Sequence, residues 1–224
     1  MTSPNAVQVT GLARRFGRRW ALARVDLTVA EGGACMLTGA NGSGKSTLLR
    51  CLATALRPHE GTATLGGRDL WTHRAALRPH IGYLAHQLHV WDDLSPAENL
   101  AAWARLGGLK ADPAELLTRV GLEPRRADPV RALSAGMKRR LALARLLLKR
   151  PRLLLMDEPF SALDPDGRAL LIDVVSELRS AGATLLLATH LPGIGRQLCD
   201  RAVKLEAGRK VWEGTADTLV EAIA

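Results

Sequence analysis

Long apolar runs are missing from this chain. No stretch reaches the roughly 18–20 residues that a helix needs to cross a bilayer, which argues against a membrane-spanning helix. The opening segment, MTSPNAVQVTGLARRFGRRW, lacks the apolar centre of a secretory signal. The chain is therefore expected to be soluble by itself and to work in the cytoplasm. Cysteines are few: Cys35, Cys51 and Cys199 are scattered without metal-like spacing. They read as small buried hydrophobes in a reducing compartment. Aromatic residues make up only 4%, and no helix-turn-helix, zinc-finger or RNP pattern is present. Internal repeats and low-complexity linkers are missing too.

What is present is an ordinary globular composition, 47% hydrophobic and 24% charged over 224 residues. That length carries one large or lobed domain with a substantial core. The net charge is +9, clustered at ARRFGRR, EPRRADPVR, MKRR and KRPR. Such clusters suit a nucleic acid, an anionic membrane surface, a bound polyphosphate or simply a solvated face.

The hydrophobic pattern orders the chain. AVQVTGLARRF and ARVDLTVAEGG alternate and read as antiparallel edge strands, and GTATLGGRDL as a hairpin. GACMLTGA, PHIGYLAHQ, PRLLLMDEPF and ATLLLATH are apolar runs of buried strands. From about Ser95 to Lys149 the spacing is helical, and PDGRALLIDVVSELRSAG is another helix. A last helix and hairpin lead to a short C-terminal helix. Strands alternating with helices predict an α/β fold with a mainly parallel sheet, an antiparallel β edge and a helical insertion.

Chemistry enters at GANGSGKST, which fits G-x-x-x-x-G-K-[ST] with Gly39, Gly44, Lys45 and Ser46, between a strand and a helix. Glycines let backbone N–H groups close around phosphates, Lys45 adds a cation, and Ser46 offers a hydroxyl to Mg²⁺. In LLLMDE a carboxylate ends a buried strand, which is costly unless it meets a cation or donor. Asp157 suits the magnesium shell and Glu158 the polarising of an attacking water. His190 ends a further buried strand, and the carboxyl ends of parallel strands are where such sheets bind ligands. LSAGMKRRLALAR opens a basic helix at a Ser-x-Gly turn. Ser134 there suits a cap, and the free N–H groups suit an anion.

Taken together, these motifs resemble the ATP-binding subunit of an ABC transporter over nearly the whole length. The resemblance implies a P-loop NTPase core. Gly39 to Thr47, with Asn41, Gly42 and Ser43 inside it, is similar to Walker A, and Phe16 to the aromatic that stacks on adenine. Leu133 to Met137 resembles the LSGGQ signature, departing at Ala135 and Met137. Leu153 to Asp157 resembles Walker B, Glu158 the catalytic glutamate, Ser161 to Asp164 the D-loop, and His190 the switch histidine. In that family two subunits sandwich ATP head to tail. The resemblance thus implies Ser134 and Gly136 on the partner's γ-phosphate, ATP and Mg²⁺ as ligands, a homodimer formed on ATP, and a separate membrane-spanning subunit. It places the chain on the cytoplasmic face of the membrane, with no nucleic acid. It also implies one ABC ATPase domain over 1–224, with a catalytic lobe at 1–85 and 150–224 and a helical signature subdomain at about 86–149.

The family's Q-loop glutamine, a magnesium-side residue, falls on His86 in the register from Ile81 to Leu94, and on Gln87 after a one-residue shift. A His there, the SAG signature followed by basic residues, and the short chain resemble the haem exporter ATPase of cytochrome c maturation. Haem export is the expectation, with a generic exporter of drug, lipid or ion as the alternative. A soluble ABC ATPase acting on nucleic acid is a remoter reading, because coiled-coil insertions and a second cassette are missing. LHVWDDL after His86 is expected to face the membrane partner, through Leu88, Val90 and Trp91 with Asp92 and Asp93.

Overall fold

Alternation along four parallel strands divides the core of this protein in two. In the computed structural model, which describes residues 5–110, 112–161 and 163–218, β3 (Ala34–Thr38), β7 (Leu153–Asp157), β8 (Thr184–Ala188) and β9 (Arg201–Glu206) lie at the centre of a six-stranded sheet. Successive side chains point to opposite faces. Met36, Leu154, Met156, Leu185 and Leu187 enter one core cluster. Cys35, Leu37, Leu153, Leu155 and Leu186 enter the other. β3, β7 and β8 are buried on both faces, as expected where a parallel sheet is covered on each side, and β9 is buried at Ala202, Val203 and Leu205.

The sheet is completed by β6 (Ile81–Leu84) beside β7 and by β10 (Arg209–Thr215), in the order β10-β9-β3-β8-β7-β6. Every pairing is parallel except β9 with β10. The antiparallel strands β1 (Asn5–Phe16), β2 (Arg19–Ala30), β4 (Glu60–Leu65) and β5 (Arg68–Asp69) form a sheet of their own, ordered β2-β1-β4-β5. This sheet shares the second cluster with α1 (Lys45–Leu52), through Val7, Leu12, Leu22, Leu48 and Leu49.

The helices expected after Ser95 are α3 (Pro96–Gly107), α4 (Pro113–Arg119) and α5 (Ala135–Lys149). A short α2 (Arg74–Leu77), which the pattern did not reveal, precedes β6. α3 starts with a full capping box between Ser95 and Glu98. Leu100, Leu117, Leu141 and Leu143 of α3, α4 and α5 belong to the same cluster as Met36 and Met156. The helical part therefore shares a core with the sheet. Across that core lies α6 (Pro165–Ser180), and α7 (Pro192–Leu198) follows β8. The expected C-terminal helix falls mainly beyond residue 218, outside the described residues. Cys35, Cys51 and Cys199 are buried and unpaired, as expected, and burial pushes the Cys35 and Cys51 thiols up to about 12.

Candidate active site

β3 ends in a loop that only glycine can build. Gly39 has φ 131°, and a Cβ there would sit 2.1 Å from the Leu205 carbonyl oxygen. Gly44 has φ 111°, and its Cβ would meet the Ala21 carbonyl at 2.6 Å. Both backbone conformations are ones that L side chains rarely adopt. Gly44 is also the N-cap of α1 and offers no side-chain cap. The first N–H groups of that helix are thus left for an anion.

Lys45 is buried, and its Nζ donates to the Gly39 carbonyl at 2.7 Å and the Ala40 carbonyl at 3.1 Å. The ammonium is folded across its own loop, where an incoming phosphate can compete for it. Ser43 is buried too, and among the described residues its hydroxyl has no partner. An unspent donor inside such a loop calls for a ligand.

Three strand ends converge here, as the sequence anticipated. Ser46 Oγ donates to Asp157 Oδ1 at 3.0 Å. Burial raises the Asp157 pKa, opposed by the Ser46 hydrogen bond, while the Glu158 charge raises it further and Lys45 and His86 lower it. A desolvated carboxylate beside a hydroxyl is a hard-oxygen pair that fits Mg²⁺, a cation that keeps several waters and takes few protein ligands. Among the described residues no three His, Cys, Asp or Glu side chains gather into a metal cage, so the rest of such a shell would be water and phosphate. Glu158, one residue on, has φ 48°. Its Oε2 lies 2.7 Å from His190 Nδ1 and accepts from the His190 N–H at 3.3 Å. The expected base and the expected switch histidine are thus in contact.

A cleft of about 320 Å³ opens on these groups, lined among others by Phe16, Asn41, Gly42, Lys45, Thr47 and Glu158. Phe16 is 49% exposed, with the Arg14 guanidinium 5.1 Å from its ring centre. The ring is thus half-exposed where it lines the cleft. Arg19, paired with Phe16 across a tight turn, lines the cleft as well, and the sequence reading missed it.

His86 and Gln87 are both exposed. His86 lies within electrostatic reach of Asp157, two residues past the end of β6. Ser134 and Gly136 do not line this cleft. Ser134 is the N-cap of α5, and its oxygen accepts from the Met137 N–H at 3.2 Å. The hydroxyl proton is left to donate elsewhere. Asp92 and Asp93 were expected to face a partner. Both stay exposed and are also paired within the chain, Asp92 with Lys138 at 2.7 Å and Asp93 with Arg131 at 2.6 Å. Leu88 and Val90 pack on the core. Trp91 is 41% exposed and stacks on Trp103 at 5.7 Å.

Residues 22–161 match the ABC transporter family profile. The chain belongs to that family, as an ATP-binding subunit. A daunorubicin resistance ATP-binding protein of Streptomyces coeruleorubidus is 41% identical over 96% of this chain and 69% of its own length. A Nod factor export ATP-binding protein of Rhizobium johnstonii is 36% identical over 98% and 72%. Among solved structures, an ATP-binding subunit of an ABC transporter superposes with TM-score 0.88 at 28% identity, covering 97% of this chain and 93% of that one. A dimeric ATP-binding cassette in a post-hydrolysis state with ADP and Pi shares the fold, with TM-score 0.85 at 24% identity over 94% and 98%. The ABC subunit is an ATPase. Among the described residues no helix is long and apolar enough to cross a membrane. The haem-export expectation gains no support from these relatives, whose names speak of drug resistance and Nod factor export.

Proposed function

We propose that this chain is the ATPase of an exporter, and that it pairs with a second copy on ATP and drives a separate membrane-spanning subunit from the cytoplasmic face. The relatives' names favour export of the drug or Nod factor kind over haem. The observation that carries the nucleotide reading is the cleft, where a cation, uncapped helix N–H donors and a desolvated carboxylate bonded to Ser46 meet at the ends of β3 and β7. In this reading Phe16 stacks on the adenine. The Gly39–Thr47 loop, with Asn41, Gly42, Ser43 and Gly44, wraps the phosphates, and Lys45 holds the terminal ones. Ser46 and Asp157 would hold Mg²⁺, with the His86–Gln87 pair supplying the Q-loop residue beside its water shell. When bound, Mg²⁺ supplies charge that stabilises the transferring phosphoryl group. Glu158 orients the attacking water and takes its proton. His190 holds the Glu158 carboxylate and faces the γ-phosphate. Ser134 and Gly136 face the partner's γ-phosphate, helped by the dipole of α5. The whole chain, 1–224, acts as one ABC ATPase domain, with residues about 86–149 as its signature lobe. No nucleic acid takes part.

The test is Glu158→Gln, which keeps the shape of the side chain but cannot accept the proton. Nucleotide binding should persist, turnover should stop, and an ATP-dependent dimer should accumulate in gel filtration. Adding Gly136→Asp should abolish that dimer without weakening ATP binding by the monomer, because like charges would meet at the γ-phosphate. A Glu158→Gln protein that binds ATP yet stays monomeric at every nucleotide concentration would overturn the sandwich.

A further inference from the structure

Arg139 lies on α5 and is only 5% exposed. It forms no ion pair among the described residues. Its Nη1 donates instead to two backbone carbonyls, Glu158 at 2.9 Å and Pro159 at 2.6 Å. Removing a guanidinium from water without a counter-charge is costly, and an apolar side chain would pack the site at less expense. Burial alone already pulls the Arg139 pKa down. Its neighbour Arg140 is in a different position. It sits 3.9 Å from Asp164 and is less deeply buried, so a counter-charge is at hand.

The carbonyls that Arg139 holds belong to the strained point of the active site. Glu158 has φ 48°, left-handed for a residue with a side chain, and such a conformation persists only when its surroundings over-determine it. Here the Glu158 N–H donates to the Ala188 carbonyl at 2.9 Å, and the Glu158 carbonyl accepts from Ser161 Oγ at 3.0 Å as well as from Arg139. The side chain, pinned at its base, then reaches His190.

We propose that Arg139 is a positioning residue, which holds the catalytic carboxylate of Glu158 in place and ties it to the signature helix of the same subunit. Gly136 lies three residues before Arg139 and so one turn away on the same helix face. A phosphate docked at the N-terminus of α5 acts on the rigid element whose arginine grips the Glu158 backbone. Each subunit's catalytic carboxylate is thereby set by the ATP its own signature helix binds, which is the partner's. This rests on Glu158 being the base.

The experiment compares Arg139→Met and Arg139→Lys in the full chain. Steady-state hydrolysis of Mg–ATP gives kcat and KM. Affinity for a fluorescent ATP analogue is measured with Glu158→Gln added, so that hydrolysis does not intervene. Arg139→Met should lower kcat by about tenfold or more with KM within about twofold, and affinity should hold. Arg139→Lys should recover part of kcat, since an ammonium reaches one carbonyl, and it carries the same test should the Met variant fold poorly. Wild-type kcat in Arg139→Met would overturn the proposal. So would KM and affinity worsening as far as kcat falls in both variants, which is the mark of a collapsed site. Failure of the Glu158 assignment looks different: Glu158→Gln alone would then keep its turnover.

Discussion

Ser46 Oγ donates to Asp157 Oδ1 across 3.0 Å, joining residues 111 apart in sequence. The bond spans from the first turn of α1 to the last residue of β7, whose neighbour β8 separates it from β3. Asp157 is buried, and its carboxyl is held above the usual range chiefly by that burial. A carboxylate so placed is poorly solvated, and a divalent cation relieves it more than any neutral donor does.

Asp157→Asn should therefore remove the advantage of Mg²⁺ while sparing the phosphate loop. The amide oxygen still accepts from Ser46, so the local fold is kept. Titrating ATP with and without Mg²⁺ should show that the metal no longer tightens binding, and turnover should fall by about a hundredfold. Undiminished magnesium dependence would remove Asp157 from the metal shell.

Lys45→Ala takes the fixed cation from the loop. Two carbonyls, those of Gly39 and Ala40, lose the donor they share, and the phosphates lose their counter-charge. ATP binding by equilibrium dialysis should weaken by at least about tenfold, and turnover should nearly vanish. Near-normal hydrolysis would contradict the phosphate-cradle reading.

Much of this site was legible in the sequence because its parts are local. The glycine spacing, Lys45 and Ser46 lie in one turn, and Asp157 and Glu158 close one apolar run. Element order and the helical stretch followed from periodicity. What depended on pairing across the fold was hidden. Asp92 and Asp93 look like free acidic residues in the chain, yet they meet Lys138 and Arg131 from a later segment. Arg139 looks like one more residue of a basic cluster, and only the fold brings it under Glu158. The separate antiparallel sheet was also out of reach, because edge membership depends on which strand β1 meets on its far side, here β4.

His86 and Gln87 can be told apart by exchange. His86 is within electrostatic reach of Asp157, an interaction that the uncharged Gln87 does not make. His86→Gln should keep turnover, since glutamine is the residue that the family resemblance implies at that position. His86→Ala should lower it several-fold, and Gln87→Ala should leave it near the wild-type value. A severe loss in Gln87→Ala with a silent His86→Ala would move the Q-loop register by one residue.

Trp91 is the apolar side chain of the expected partner loop that faces outward, beside the exposed Asp92 and Asp93. Its N–H donates to Asn99 Oδ1 and its carbonyl accepts from Asn99 Nδ2, both at 3.0 Å, so the backbone is pinned whatever the side chain does. Trp103 carries the stacking forward to Arg145, whose guanidinium lies 4.9 Å from its ring. Exposed aromatic anchors of this sort often dominate binding energy. Trp91→Ala should reduce copurification with the membrane subunit while basal ATPase stays within about twofold. Loss of soluble protein would assign the ring to the core instead.

Lys149 links stability to pH in a direction that can be worked out. Burial, with Arg145 and Arg78 nearby, lowers its pKa from 10.5 to about 8, although its Nζ donates to the Ile81 carbonyl at 2.5 Å. Between those two values the unfolded chain holds a proton that the folded chain has shed. Stability from this group therefore rises as pH climbs from about 8 to 10.5. The buried thiols work the other way, since Cys35 and Cys51 are held at about 12 and the unfolded chain loses those protons first. Only a difference curve isolates the lysine. In urea unfolding of wild type and Lys149→Met, the stability of wild type relative to the variant should increase steadily across that window. A difference that stays flat would mean that Lys149 keeps an ordinary ammonium in the fold, and that the cations around it are better solvated than their burial suggests.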